Sequence, residues 1–130
     1  MALGYISGLR NAQMDAITTF TGTTAKLTIY SGTRPATGGT ATTVLATLTC
    51  NATFAPAASG GVLTLNAISS ATASATGTAS WFRLFKSDGT TIVMDGDVGT
   101  SGSDLNLNST SITSGGTVSI TSFVLTCGNP

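Results

Sequence analysis

The chain has 130 residues, enough for one domain with a core of its own, and 41% of them are apolar while only 8% are charged. Five basic residues balance five aspartates, and neither histidine nor glutamate occurs, so the residue types that metal sites, acid–base catalysis and phosphate binding rely on are scarce. We therefore expect no enzyme, no metal or other cofactor and no nucleic-acid partner, and the near-neutral, charge-poor surface favours self-association.

The N-terminal part of the chain is predicted to hold an arm and the single helix (residues 1–22), followed by a β-sandwich (residues 23–130) within one globular domain. Apolar residues recur at three- and four-residue steps between Ser7 and Phe20, which is typical of one helical stripe. The stripe consists of Leu9, Ala12, Ala16, Ile17 and Phe20. A helix this short needs tertiary packing. Two alternatives stay open: it packs on its own domain, or it docks on a neighbouring subunit through Leu9, Ala12, Ile17 and Phe20.

The start of the chain has no basic segment followed by an apolar one, as a secretory signal would have. No run approaches the roughly 20 apolar residues of a membrane span. We therefore expect a protein that is made in the cytoplasm and has no membrane partner.

From Ala25 onward the apolar period changes to two, as in strands with one buried face. One parity is held over residues 44–54, which predicts a long strand. Asp88-Gly89 between two apolar runs predicts a hairpin, and a change of parity near Thr121 predicts a β-bulge. The pattern indicates a mainly β protein, namely an antiparallel β-sandwich or jelly roll of about eight strands with one short N-terminal helix.

The densest apolar segment, residues 79–86, carries large side chains at both parities, so it is expected to be a central strand or a strand covered on both faces. Trp81, Arg83 and Phe85 share one face of it. Two interpretations stay open for Trp81: a core residue, or part of an interface, where tryptophan and arginine are enriched. In the second case all three side chains contact the partner.

The sequence contains two small groups of reactive residues, a pair of cysteines and a cluster of aspartates. Cys50 and Cys127 are either free thiols or a disulfide between an early strand and the last one, and their spacing does not decide between these. Asp95, Asp97 and Asp104 form the only carboxylate cluster. We expect turn aspartates that bind their own backbone, because the spacing matches no calcium loop and nothing indicates a glycosidase pair.

Several segments, spread over nearly the whole chain, resemble small virion proteins of tailed bacteriophages. They are GLRNAQ (8–13), DAI (15–17), IYSGTRP (29–35), TFAPA (53–57), GGVLT (60–64), SDGT (87–90), DG (95–96) and GSDLNLNST (102–110). The resemblance is nearest to capsid cement or decoration proteins with a jelly-roll-like sandwich. It offers no catalytic residues, and the two cysteines lie outside it.

The resemblance implies a virion protein on the capsid surface that binds the outside of an HK97-type shell and stabilises it across subunit seams. Its implied partners are the major capsid protein and copies of itself, as a dimer or trimer. The alternatives are a tail or baseplate component of the virion, or a fimbrial or adhesin-like β-sandwich subunit. Subunits of that last kind are also rich in Thr, Ala and Gly and poor in charge.

Overall fold

The computed structural model describes residues 3–127, which form one helix and eleven strands. In chain order the elements are α1 (Ser7–Thr21), β1 (Lys26–Ser31), β2 (Thr43–Thr49), β3 (Val62–Thr64), β4 (Ala71–Thr72), β5 (Gly77–Thr78), β6 (Trp81–Phe85), β7 (Ile92–Gly99), β8 (Leu105–Leu107), β9 (Ser111–Ile112), β10 (Thr117–Val118) and β11 (Ile120–Thr126). The mainly β class and the N-terminal helix are thus confirmed, and the helix ends within one residue of its predicted limit.

Seven strands form one sheet in the order β2-β1-β6-β7-β8-β11-β3, and two ribbons pair β4 with β10 and β5 with β9. The sheet is mixed rather than purely antiparallel as predicted, because β7 and β8 run parallel, with Val98 opposite Leu105. The chain returns through a tight loop between them. A Cβ on Gly99 would collide with the Ser103 hydroxyl, so glycine at this position lets the loop fold back closely.

Of three local signals in the sequence, the hairpin and the bulge are present in the structure and the long strand is not. The Asp88-Gly89 hairpin is confirmed between β6 and β7, and Asp88 Oδ1 accepts hydrogen bonds from the amides of the two residues after Gly89. The bulge is confirmed in β11, where Ile120 and Ser122 pair with two adjacent residues of β8. Thr121 between them is the extra residue. The long strand over residues 44–54 is wrong: β2 ends at Thr49, because Asn51 Oδ1 accepts the amide of Thr53 and turns the chain out of the sheet.

One face of the seven-stranded sheet carries the core, to which Leu27, Ile29, Phe82 and Leu84 contribute. The helix, the segment between β2 and β3, and the two ribbons lie over this face. They add Met14, Phe54, Ala73, Ile112 and Val118 to the same buried cluster. Burying a large aliphatic or aromatic side chain stabilises a protein by roughly 1.5–3 kcal/mol. The helix is therefore held partly by the core that the strands build.

Candidate functional site

Helix α1 lies against β3 and the turn before it, and polar side chains make most of its specific contacts there. Arg10 Nη2 donates to the carbonyl of Cys127 at 3.0 Å. Asn11 Oδ1 accepts the amide of Gly61 at 2.8 Å, and Asp15 Oδ1 accepts the amide of Ala58 at 2.7 Å. Each bond reaches backbone that strand pairing leaves available. Of the two alternatives for the helix, the structure shows packing on its own domain.

The predicted apolar stripe is split by this packing. Ile17 is half-buried and packs against the core. Leu9, Ala12 and Phe20 point outward and are exposed, Leu9 at 47% and Phe20 at 54%. The helix instead buries Met14, which the stripe did not include. The outward apolar side chains thus belong to the helix face that the rest of the described chain leaves uncovered.

Exposed large apolar residues concentrate at this end of the molecule. Over residues 3–127 they are Leu3, Ile6, Leu9, Phe20, Val44 and Val124, so four of the six lie on the helix or in the segment before it. Lys86 Nζ lies 4.2 Å from the ring centre of Phe20, a cation–π contact that keeps this ring in place beside the sheet. We call Leu9, Ala12, Ala16 and Phe20 the outer helix face.

Trp81 is completely buried, on the sheet face opposite the core. Its ring stacks on Tyr30 with ring centres 4.1 Å apart, and its Nε1 donates to Thr42 Oγ1 at 2.8 Å. Strand β6 is central in the sheet and also covered on this face, so both features expected of residues 79–86 are present. Of the three side chains expected at an interface, Trp81 and Arg83 are enclosed within the chain and Phe85 is half-buried.

Arg83 forms a bidentate ion pair with Asp95 beside Trp81. Its Nε lies 2.6 Å from Asp95 Oδ1 and its Nη2 lies 2.9 Å from Oδ2. The two side chains are only 4% and 0% exposed. Asp95 Oδ2 also accepts the amide of Gly38 at 2.9 Å. We call Tyr30, Trp81, Arg83 and Asp95 the buried aromatic–ion-pair cluster.

The surroundings of Asp95 and Arg83 keep both residues charged at neutral pH. Burial raises the pKa of Asp95, but the hydrogen bonds from Arg83 and Gly38 and the positive charges of Arg83 and Arg34 outweigh it, so the pKa lies below its usual value. The hydrogen bond to Asp95 raises the pKa of Arg83 against the effect of burial. Asp95 therefore lies within a strand as one half of an ion pair. It is not the turn residue that the sequence predicted.

The other carboxylates of the predicted cluster also bind protein groups. Asp97 Oδ1 lies 3.4 Å from Arg34 Nε, and Asp104 Oδ2 accepts the amide of Asp97 at 2.9 Å. Across residues 3–127, no three His, Cys, Asp or Glu side chains converge as the ligands of a metal ion would. The described helix is too short and too polar to cross a membrane.

The two cysteines are not joined in the described structure. Cys50 is a free, buried thiol, and burial raises its pKa to about 11. The Cys127 thiol donates a hydrogen bond to Gln13 Oε1 at 3.1 Å. Their separate surroundings fit the free-thiol interpretation of the sequence better than the disulfide.

Two shallow clefts open on the surface of the described residues. One, of about 210 Å³, lies between Leu65, Ile68 and the bulged part of β11. The other, of about 230 Å³, lies between Ser109 and Thr117. Neither is lined by a charged side chain, and both are smaller than the roughly 300–1,000 Å³ of ordinary ligand pockets. Comparisons with protein-family models, with curated proteins and with solved structures find no match.

Proposed function

We propose that this chain is a structural protein of a tailed-bacteriophage virion, namely a capsid cement or decoration protein. It binds the outer surface of an HK97-type shell and stabilises the shell across subunit seams. It is made in the host cytoplasm and carries out no catalysis. Its partners are the major capsid protein and further copies of itself, as a dimer or trimer. The sequence segments that resemble such proteins lead to this assignment.

The structural observation that supports the proposal best is the outer helix face. The helix is attached to its own domain by Met14 and by hydrogen bonds from Arg10, Asn11 and Asp15. Leu9 takes no part in that attachment, Phe20 contacts the domain through Lys86, and both side chains remain about half exposed. Apolar residues that cluster on a surface are typical of an interaction site. A rigidly held helix face is suited to dock into a seam without losing much conformational entropy.

The proposal includes the finer architecture, a jelly-roll-like sandwich. It is supported by the two ribbons, which lie over the core face of the large sheet and bury Ala73, Ile112 and Val118 against it. Ser74 also donates its amide to the carbonyl of Leu45 in β2, so the layers are hydrogen-bonded at one edge. The ribbons would form the second, smaller layer of the sandwich.

A capsid-binding protein with few charges can bind firmly by making many identical contacts. A capsid lattice presents the same seam many times, and an oligomer binds neighbouring seams with a high effective concentration after the first contact. Each contact can therefore be weak and largely apolar. Such an interface is insensitive to salt, whereas attachment through exposed charges is screened at about 1 M salt, where the Debye length is roughly 3 Å.

The proposal is tested by adding the purified chain to expanded particles of the encoding phage from which the chain has been removed. The double variant Leu9→Ser/Phe20→Ser removes two large contacts of the outer helix face. About half of each side chain is already covered in the free chain, so each is worth roughly half of the 1.5–3 kcal/mol of full burial, and the variant should bind about 10- to 100-fold more weakly. Cosedimentation with the particles measures this loss, and circular dichroism checks that the variant is folded.

The matched control is Val124→Ser, which changes an exposed apolar side chain on β11 at 42% exposure. It should bind like the unaltered chain. Mature particles that contain no copies of the chain would rule out the proposal. Location of the chain on tails would favour the baseplate alternative, and location on cell-surface fibres would favour the fimbrial one. Loss of binding in moderate salt would contradict an apolar interface.

A further inference from the structure

The connection between β1 and β2, residues 32–42, lies across the buried aromatic–ion-pair cluster. We call it the strap. Its sequence is GTRPATGGTAT, so it contains no large apolar side chain of its own. The strap therefore does not cover Trp81 by hydrophobic packing of its own side chains. Polar contacts hold it in place.

Three such contacts hold the strap over the cluster, and at its two ends Ser80 Oγ donates to the carbonyl of Gly32 and Thr42 Oγ1 donates to that of Ser31. Thr42 Oγ1 accepts the indole N–H of Trp81, and the Gly38 amide donates to Asp95 Oδ2. Arg34 forms an ion pair with Asp97, in which both side chains are largely exposed. A neutral hydrogen bond and an exposed ion pair each contribute little net stability, and a bond accepted by a carboxylate contributes somewhat more. Together these contacts are small beside the free energy that stabilises a whole domain.

The cluster beneath the strap is positioned by the sheet. Tyr30, Trp81 and Asp97 lie side by side in register across β1, β6 and β7. Arg83 and Asp95 are likewise direct neighbours on β6 and β7. The stack and the ion pair therefore need the sheet for their geometry and do not need the strap. Lifting the strap would uncover a formed surface rather than disrupt one.

We infer that the strap opens and closes as one unit over an intact sheet, and that its position decides whether Trp81 and Arg83 are accessible. When the strap is open, Tyr30, Trp81 and Arg83 join the half-buried Phe85 in one surface. Aromatic residues and arginine are the residue types that dominate interface energetics. A partner that binds this face must displace the strap first. The inference concerns the purified chain alone and does not depend on the proposed capsid role.

Amide hydrogen exchange tests whether the strap moves as one unit. Thr42→Val removes the acceptor for Trp81 and also the hydroxyl that donates to the carbonyl of Ser31 at one end of the strap. If the strap opens cooperatively, the Gly38 amide should exchange at least about fivefold faster, since the loss of one hydrogen bond alone has that effect. The amide of Val98, which donates to Ser80 O within the sheet, should keep its rate.

The matched control is Thr40→Val, the same change at an exposed residue of the strap, which should leave the Gly38 rate unaltered. An unchanged Gly38 rate in Thr42→Val would show that the fastenings open independently, and the inference would be wrong. An equal acceleration of the Val98 amide would overturn it as well, because the sheet itself would then be opening.

Trp81 is the only tryptophan of the chain, so its fluorescence reports directly on the strap. Arg34→Gln removes the outermost fastening without altering a group in contact with the indole. Acrylamide should quench Trp81 measurably faster in this variant and in Thr42→Val, with an unchanged circular dichroism spectrum. Quenching that stays at the level of the unaltered chain in both variants would contradict a releasable strap.

Discussion

Replacing Asp95 with asparagine leaves the Arg83 guanidinium without its counter-charge while keeping the size and shape of the side chain. The asparagine can still accept the amide of Gly38, so the strap keeps this contact as well as its others. Because Arg83 is only 4% exposed at its side chain, water cannot replace the lost carboxylate. The perturbation is therefore an uncompensated buried charge with little change in packing.

The expected cost is about 3–5 kcal/mol in the free energy of unfolding, the usual effect of removing one partner of a buried ion pair. For a chain of this size, that corresponds to a decrease in Tm of roughly 10–20 °C. Asp97→Asn is the matched control, two residues away on the same strand. Its ion pair with Arg34 is exposed, so it should cost no more than about 1 kcal/mol.

Urea unfolding followed by Trp81 fluorescence and by circular dichroism measures both variants. Adding Arg83→Met to Asp95→Asn removes the isolated charge and should recover much of the loss, since the two changes act on one interaction. If Asp95→Asn destabilised the protein by less than about 1 kcal/mol, like an exposed pair, the account of a desolvated ion pair would be refuted.

The same pair predicts how stability depends on pH. The pKa of Asp95 in the folded protein is below its ordinary value of 3.8. The stabilisation by Asp95 is therefore complete at pH values above its pKa in the unfolded chain. It is lost as the pH falls through its pKa in the folded protein. Asp88 behaves alike, because bonds from Thr91 and Thr90 lower its pKa to about 2. Asp88 is present in both the unaltered chain and Asp95→Asn, so the difference between their free energies of unfolding reports on Asp95 alone. This difference should shrink below about pH 4.

Two further predictions concern the helix and the thiols. Gly61→Ala should destabilise the protein more than Gly60→Ala. Both glycines have positive φ, but only at Gly61 would the new Cβ lie 2.6 Å from the Arg10 guanidinium and displace it from the Cys127 carbonyl. Equal urea midpoints would show that this displacement costs no stability. A thiol reagent at pH 8 should modify Cys127 before Cys50, whose pKa is raised to about 11 by burial; equally fast modification of both in the folded chain would contradict this burial.

Features encoded by neighbouring residues could be predicted from the sequence. The helix limits follow from the apolar period, the β6–β7 hairpin from Asp88-Gly89, and the bulge from the change of parity around Thr121. In each case the signal and the structure lie within a few residues of one another. The end of β2 was missed because the alternation of apolar residues continues past Asn51, whose Oδ1 accepts the amide of Thr53 and turns the chain out of the sheet.

The orientation of the helix could not be predicted, because its inward side chains are largely polar. Arg10, Asn11 and Asp15 face the sheet because backbone groups near residues 58, 61 and 127 meet them there. No local pattern encodes partners so distant in sequence. The strap is similar, since Gly38 and Asp95 are 57 residues apart. The burial of Trp81 was left open by the sequence for the same reason.

The contact of Arg10 with the carbonyl of Cys127 joins residues 117 positions apart. Strand β3, on which the helix lies, has its strand pairing with β11. During synthesis on the ribosome, the helix consequently has no complete docking surface until β11 has emerged. Because such distant contacts close only after a long loop is ordered, their formation is expected to be late and slow. Until then Met14 and the outer helix face are both exposed, so the nascent chain passes through a stage at which premature association is most favoured.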